Sequence, residues 1–166
     1  MSTPMQAWPE IILRQEEILR FPQPISNSDA LTLGLSAVEL AKAFGQTVAI
    51  RIVVREAVAF SHLMDGLGLE SAWWMDKKLN AAREMGMPTL RLYAEVHTGA
   101  RQVTDFLLNE TSYALDGGCV PLRARDGRIF GWFLVSGAPH QYDHEIATQA
   151  IARFLRADAP SVLDAT

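Results

Sequence analysis

The alternation of apolar and polar positions divides the chain into helices and hairpins. In residues 8–20 the apolar positions Trp8, Ile11, Ile12 and Leu19 form a helical stripe. Pro22 and Pro24 end it, because proline disfavours helical geometry at the preceding residue. Ser26, Asn27, Ser28 and Asp29 offer N-cap side chains to a second helix. Along it Leu31, Gly34, Leu35, Val38 and Ala41 repeat with the spacing of one buried face. Gly34 costs helix propensity and predicts close packing there, and Gly45 suits the position just past the helix end. Residues 47–54 are rich in β-branched side chains and predict a strand with Val48, Ile50, Ile52 and Val54 on one face. Residues 57–63 are its partner, joined through Arg55 and Glu56.

Ser71 caps a third helix that runs to Met85 and closes at Gly86. Pro88 opens a fourth, with Leu90, Tyr93, Ala94 and His97 on one face and Gly99 at its end. A short amphipathic piece over residues 103–108 leads into a loop over 109–118. Residues 119–125 and 128–136 read as a hairpin about Asp126-Gly127, with a type I′ turn. Pro121 places the first of these strands at an edge or an irregular point. The last helix covers residues 141–155, with Tyr142, Ile146, Ala150 and Phe154 inward. Asp143 and Glu145 lie in its first turn, where the helix dipole favours negative charge. Residues 1–7 and 157–166 are expected to fray as the tails of a single domain spanning 1–166. Hairpins outnumber β-α-β crossovers, which predicts an α+β fold with a mainly antiparallel sheet flanked by helices.

Composition narrows the function. The 166 residues are 49% hydrophobic and 20% charged, enough for a full core and unlike a disordered chain. Fifteen Lys and Arg against nineteen Asp and Glu give a net charge of −4, with no basic run to track phosphates, so no nucleic-acid partner is expected. A single cysteine, Cys119, excludes an internal disulfide and fits a reducing compartment. No apolar stretch approaches the roughly 20 residues that cross a bilayer, and the first residues lack the charged and apolar regions of a signal peptide. The expectation is a cytoplasmic protein with no membrane partner.

Three constellations carry candidate chemistry. His140 and His144 are four apart, share a helix face and could hold one metal ion, although H-E-x-x-H is absent. Alternatively, Asp143 and His144 cap the helix or join a subunit contact. In Asp116-Gly117-Gly118-Cys119, paired glycines let backbone N–H groups converge on an anion or carbonyl, and Cys119 offers a nucleophile or a soft haem ligand. Its alternative is a glycine-dependent loop followed by a buried cysteine. In Trp73-Trp74-Met75-Asp76-Lys77-Lys78, one tryptophan is expected inside and the other presented to a ligand or subunit, with Lys77 or Lys78 meeting a carboxylate such as a haem propionate. Core plus solvated surface is the alternative there. His62 and His97 read as structural histidines.

Several segments together resemble the haem-degrading domain family, which includes GlcG-like and HbpS-like proteins: Gly118-Cys119-Val120-Pro121-Leu122-Arg123, then Gly131 with Val135-Ser136-Gly137, then Asp143-His144-Glu145, and Ser71 to Lys78 with Asn80. The resemblance spans about residues 10–156 and is nearest to a branch of small uncharacterised proteins. It implies a profilin-like fold, homo-oligomers and, in some members, haem binding. One departure is Asp116, where related sequences carry a histidine ahead of the glycine pair; an aspartate does not serve as a neutral axial ligand. On this basis the expected function is haem or small-molecule binding, with Trp74, Lys78, Gly117, Gly118, Cys119 and His144 about a planar guest. A non-enzymatic assembly protein is the alternative, and a metal-dependent enzyme using His140 and His144 the third.

Overall fold

The computed structural model describes residues 3–102 and 109–163. After a 3-10 turn at Met5–Ala7, helix α1 spans Trp8–Ile18, with Pro9 in its first turn. The chain then forms a two-residue strand, β1 (Arg20–Phe21), before Pro22. The helical stripe gave no sign of this strand. Helix α2 (Asn27–Ala43) starts with a full capping box: the Asp29 N–H donates to Ser26 Oγ, and the Ser26 N–H donates to Asp29 Oδ2. It ends ahead of Gly45, whose φ of +66° explains the glycine. Strands β2 (Ala49–Val54) and β3 (Ala57–Leu63) form the expected hairpin. Helix α3 (Leu69–Met85) begins two residues before Ser71 and closes at Gly86, and α4 (Thr89–His97) follows Pro88. Strands β4 (Cys119–Ala124) and β5 (Ile129–Ser136) precede helix α5 (His140–Leu155). The expected piece over residues 103–108 lies outside the described residues.

The sheet order is β1-β4-β5-β2-β3, antiparallel throughout except for the parallel β1–β4 pairing. β1 pairs only with Arg123 and Ala124, so β4 has a free edge at Pro121, where a missing N–H costs nothing. One sheet face carries Ile50, Ile52, Val54, Leu122, Phe133 and Val135 and is covered by α2 and α5. The other carries Ala49, Val53, Cys119, Trp132 and Leu134 and is covered by α3 through Met75, Leu79 and Ala82. Full burial of each Val, Leu, Ile, Phe or Met side chain among them contributes about 1.5–3 kcal/mol. Ile12 of α1 and Leu90 of α4 pack together with Val162. The fold is therefore α+β with a five-stranded sheet flanked by helices. Among the described residues no helix is long and apolar enough to cross a membrane.

Four expectations are corrected. The buried face of α2 is Ala30, Leu33, Gly34, Ala37, Leu40 and Ala41, whereas Leu31 and Leu35 are about half exposed, at 50% and 53%. The small residues Ala30, Gly34, Ala37 and Ala41 on that face let the helix approach α5 and the sheet closely. Gly34 does mark close packing: a Cβ there would overlap the Phe60 ring. The β4–β5 turn is not type I′, because only Gly127 has positive φ. Asp126 Oδ1 accepts the Arg128 N–H, which holds a right-handed turn closed by a left-handed glycine. Trp73 and Trp74 are both exposed, and Met75 takes the inward position. The segment after Arg156 is tied down, not frayed, as far as residue 163. Val162 is buried and its N–H donates to Glu145 Oε1 at 2.8 Å, while the Pro160 carbonyl accepts from Gln15 Nε2 at 2.7 Å.

The β2–β3 link holds two non-glycine residues at positive φ, Arg55 at +50° and Glu56 at +65°. Arg55 offsets its strain by donating to the Ile25 carbonyl and to Asn27 Oδ1, whereas Glu56 makes only an exposed ion pair with Arg83. Such a pair contributes little, and left-handed geometry costs an L-residue about 1–2 kcal/mol. Glu56→Gly is therefore expected to raise the urea midpoint, by about 1 kcal/mol of stability. A lower midpoint would contradict this account of the turn.

Candidate functional site

The 116–118 turn and the start of α5 meet above α3. The Gly117 N–H donates to His140 Nδ1 at 3.1 Å. Gly118, at φ +129°, is pressed on the strand–helix corner; a Cβ there would overlap the Val135 carbonyl oxygen and approach Lys78 Nζ and Asp143 Cβ. The glycine pair is thus required by close approach and by backbone conformation. The Gly117 N–H is spent on His140 and does not face a ligand.

At this corner Lys78 and Asp143 form a buried ion pair at 3.2 Å, with side chains 3% and 2% exposed. Lys78 Nζ also donates to the Val135 carbonyl at 3.2 Å and to Ser136 Oγ at 3.3 Å. Three donors meet three acceptors, so the ammonium is saturated. Asp143 Oδ1 accepts the Ala138 N–H at 3.0 Å. Burial pushes the Asp143 carboxyl up to about 6, against the pull of Lys78 and the Ala138 N–H. Removing one partner of such a pair strands a buried charge and typically costs about 3–5 kcal/mol. Lys78 therefore holds α3 to β5 and α5 and has no proton left for a ligand carboxylate.

His144 faces away from this corner. It is buried, and its Nε2 lies 2.7 Å from Gln15 Oε1. Gln15 Nε2 in turn donates to Glu145 Oε1 and to the Pro160 carbonyl, which fixes the amide orientation. The Gln15 oxygen can only accept, so His144 carries its proton on Nε2. Its Nδ1 has no hydrogen-bond partner among the described residues. Beside it lies a cavity of about 10 Å³, lined by Ile12, Val120 and Ile151 among others, enough for about one water. Burial pushes the His144 imidazole down to about 3, with the charge of His140 adding to the effect.

Cys119 lies wholly in the core under α3, and its N–H donates to Thr89 Oγ1 at 3.1 Å. Burial pushes its thiol pKa up, so the thiolate a nucleophile or ligand needs is disfavoured. The structure thus packs Gly117, Gly118, Cys119 and His144 closely against their neighbours, and the space beside His144 is about 10 Å³. The structure does not bring His140 and His144 to one metal: His140 Nδ1 faces the Gly117 N–H and His144 Nε2 faces Gln15. Among the described residues no three His, Cys, Asp or Glu side chains gather as a metal cluster.

The open space lies on the outer side of the same corner. A recess of about 300 Å³ is lined by Trp74, Lys78, Asp116, Ser136, His140 and Asp143 among others. Through Trp74 and Asp116 it adjoins a groove of about 560 Å³ walled by Trp74, Lys77, Tyr93, His97, Tyr113 and their neighbours. Lys77 Nζ donates to the Glu110 carbonyl at 3.2 Å and lies 5.6 Å from the Trp74 ring centre. His140 is wedged edge-on between Trp8 and Tyr93, and Tyr93 stacks on His97 at 3.8 Å. Burial lowers the His140 pKa, opposed by the charge of Asp116 and assisted by those of Lys78 and His97. Of the expected residues, Trp74 and Lys78 reach this space. Lys77, offered beside Lys78 as a partner for a carboxylate, lines the groove too, whereas Tyr93, Tyr113 and His97 carry no ligand role in the sequence reading. The i, i+4 spacing of Tyr93 and His97 was the available signal, and Tyr113 had none.

The histidine environment sets an acid response. The folded value of His144, about 3, lies below its ordinary 6.5. The unfolded chain therefore binds the proton first, and stability present above pH 6.5 drains as pH falls toward 3, by up to about 1.4 kcal/mol per unit. Asp143, raised to about 6 from 3.8, acts in the opposite sense between those values. His144→Gln keeps a donor for Gln15 and removes the titration. Between pH 7.5 and 5 the wild-type urea midpoint is expected to fall further than that of the variant. Parallel losses would refute the assignment.

Comparison with known proteins places this geometry. Residues 25–152 match the family model described as haem degrading protein HbpS-like. A UPF0303 protein of Brucella canis is 30% identical over 148 residues, covering 89% of this chain and 87% of that protein. The crystal structure of Ybr137w protein superposes with a TM-score of 0.78 at 20% identity, covering 90% of this chain and 89% of that one. The structure of a PduOC:Heme complex does so at 0.64 and 28% identity, covering 78% and 94%. The family match extends from the N-cap region of α2 into α5 and so includes the whole Lys78–Asp143 corner and the groove beside it: the chain belongs to the HbpS-like haem-degrading protein family.

Proposed function

We propose that this chain binds a flat, acidic small molecule of the haem class in the groove between α3 and α4. The observation that carries the reading is the make-up of the groove: Trp74, Tyr93 and Tyr113 supply aromatic wall, and Lys77 supplies a cation at its rim. Lys77 has one acceptor on the Glu110 carbonyl and two further protons to offer a carboxylate. A groove of about 560 Å³ is of ligand size. Membership of the haem-degrading family and the likeness to a PduOC:Heme complex support the choice of ligand class. Haem would supply redox chemistry at its iron, and the chain's own residues would supply wall, cation and imidazole. A cytoplasmic setting is consistent with the free Cys119 thiol.

Titration of the purified protein with haemin is expected to give a saturable change in the Soret band. Trp74→Ala should weaken binding about three- to tenfold, as befits one lost aromatic face. Trp73→Ala, which removes the neighbouring exposed ring, should leave it unchanged. Equal effects of the two substitutions, or a signal that never saturates, would remove the groove as the site.

Self-association is a second reading, favoured by Leu31 and Leu35 on the outer side of α2 and Val58 on the sheet-edge strand β3, all at least half exposed. Sedimentation is expected to show a homo-oligomer that Leu35→Lys shifts toward monomer. A wild-type protein monomeric at high micromolar concentration would contradict it.

A further inference from the structure

We propose that His97 is the residue that ligates the metal of a metalloporphyrin lying in the groove, through Nε2; this inference rests on the haem-class reading above. Three imidazoles lie near this corner, and their hydrogen bonds sort them. His97 Nδ1 sits 2.9 Å from the Tyr93 carbonyl, one turn back on α4. A carbonyl only accepts, so Nδ1 bears the proton and the lone pair is left on Nε2. A backbone carbonyl holding the far ring nitrogen is the usual way a metal-ligating histidine is oriented and made more basic. The Tyr93 ring stacks on His97 at 3.8 Å and 18°, which fixes the imidazole plane. Tyr93 is itself held edge-on by His140 at 4.4 Å. His97 is exposed, and it lines the groove together with Trp74 and Lys77.

The other two imidazoles are excluded by the same reasoning. His140 receives the Gly117 N–H on Nδ1, so its neutral form carries the proton on Nε2 and presents a donor there. It suits a hydrogen bond to a ligand oxygen, not a metal. His144 is enclosed between α1 and α5, with Nε2 committed to Gln15. Asp116 lines the groove as well, and an acidic oxygen is not the neutral nitrogen donor that His97 offers.

The test compares ferric haemin, zinc protoporphyrin and metal-free protoporphyrin on the full chain. His97→Ala should weaken haemin and zinc protoporphyrin at least about tenfold and remove the imidazole-ligated absorption bands. Metal-free protoporphyrin should bind wild type and variant alike, because it needs only wall and cation. Free imidazole should restore the bands to the variant. His62→Ala, on strand β3, should change nothing. If all three porphyrins weaken together in His97→Ala, the residue is wall and not ligand. If haemin keeps its bands in His97→Ala, or loses them in His62→Ala, the assignment is wrong while the groove stands. If no porphyrin binds the wild type, the groove reading falls, and this one with it.

Discussion

The buried Lys78–Asp143 pair is the constraint around which the corner is organised. One ammonium joins the middle of α3 to the end of β5 and the first turn of α5. Every proton it has is spent inside the protein, and Gly118 lies against the Val135 carbonyl with no side chain between them. The glycine pair, the strand end and the helix start then follow as one unit. That unit forms one wall of the outer recess, which meets the groove at Trp74 and Asp116.

Backbone groups divide the histidines by role. An N–H aimed at one ring nitrogen and a carbonyl aimed at another leave opposite tautomers a few residues' width apart in space, on His140 and His97. His144 shows the third outcome, an imidazole kept neutral by burial and anchored by a side-chain amide. Gln15 also holds Glu145 and the chain near Pro160, so this histidine belongs to the fastening of α1 and the last described residues onto α5.

Much of the architecture was legible in the residues. The N-cap candidates at residues 26–29, the β2 face at Val48, Ile50, Ile52 and Val54, and the edge or irregular point implied by Pro121 are all local signals that the packing uses. Where the reading failed, the deciding force was tertiary. β1 is two residues long and exists only because β4 is beside it. The α2 stripe could be drawn through Leu31 and Leu35 or through Ala30, Leu33 and Ala37, and only the closeness of its neighbours selects the smaller residues. As a sequence position Lys78 reads either as a cation for a ligand carboxylate or as solvated surface, and it is neither, since its ammonium is buried on Asp143. Its place three after Met75 and four before Ala82 put it on the buried face of α3, which the spacing already indicated. His97 looked structural because periodicity records which face a residue is on, not which ring nitrogen holds the proton.

The central claim is that the aromatic groove beside α3 and α4, and not the space between the glycine turn and His144, receives the ligand. A crystal structure of the haemin-loaded protein tests it most directly. The account predicts density lying against Trp74 and Tyr93, carboxylates toward Lys77, and Lys78 still paired with Asp143. Density on another face, or Lys78 withdrawn from Asp143 to meet the ligand, would contradict it.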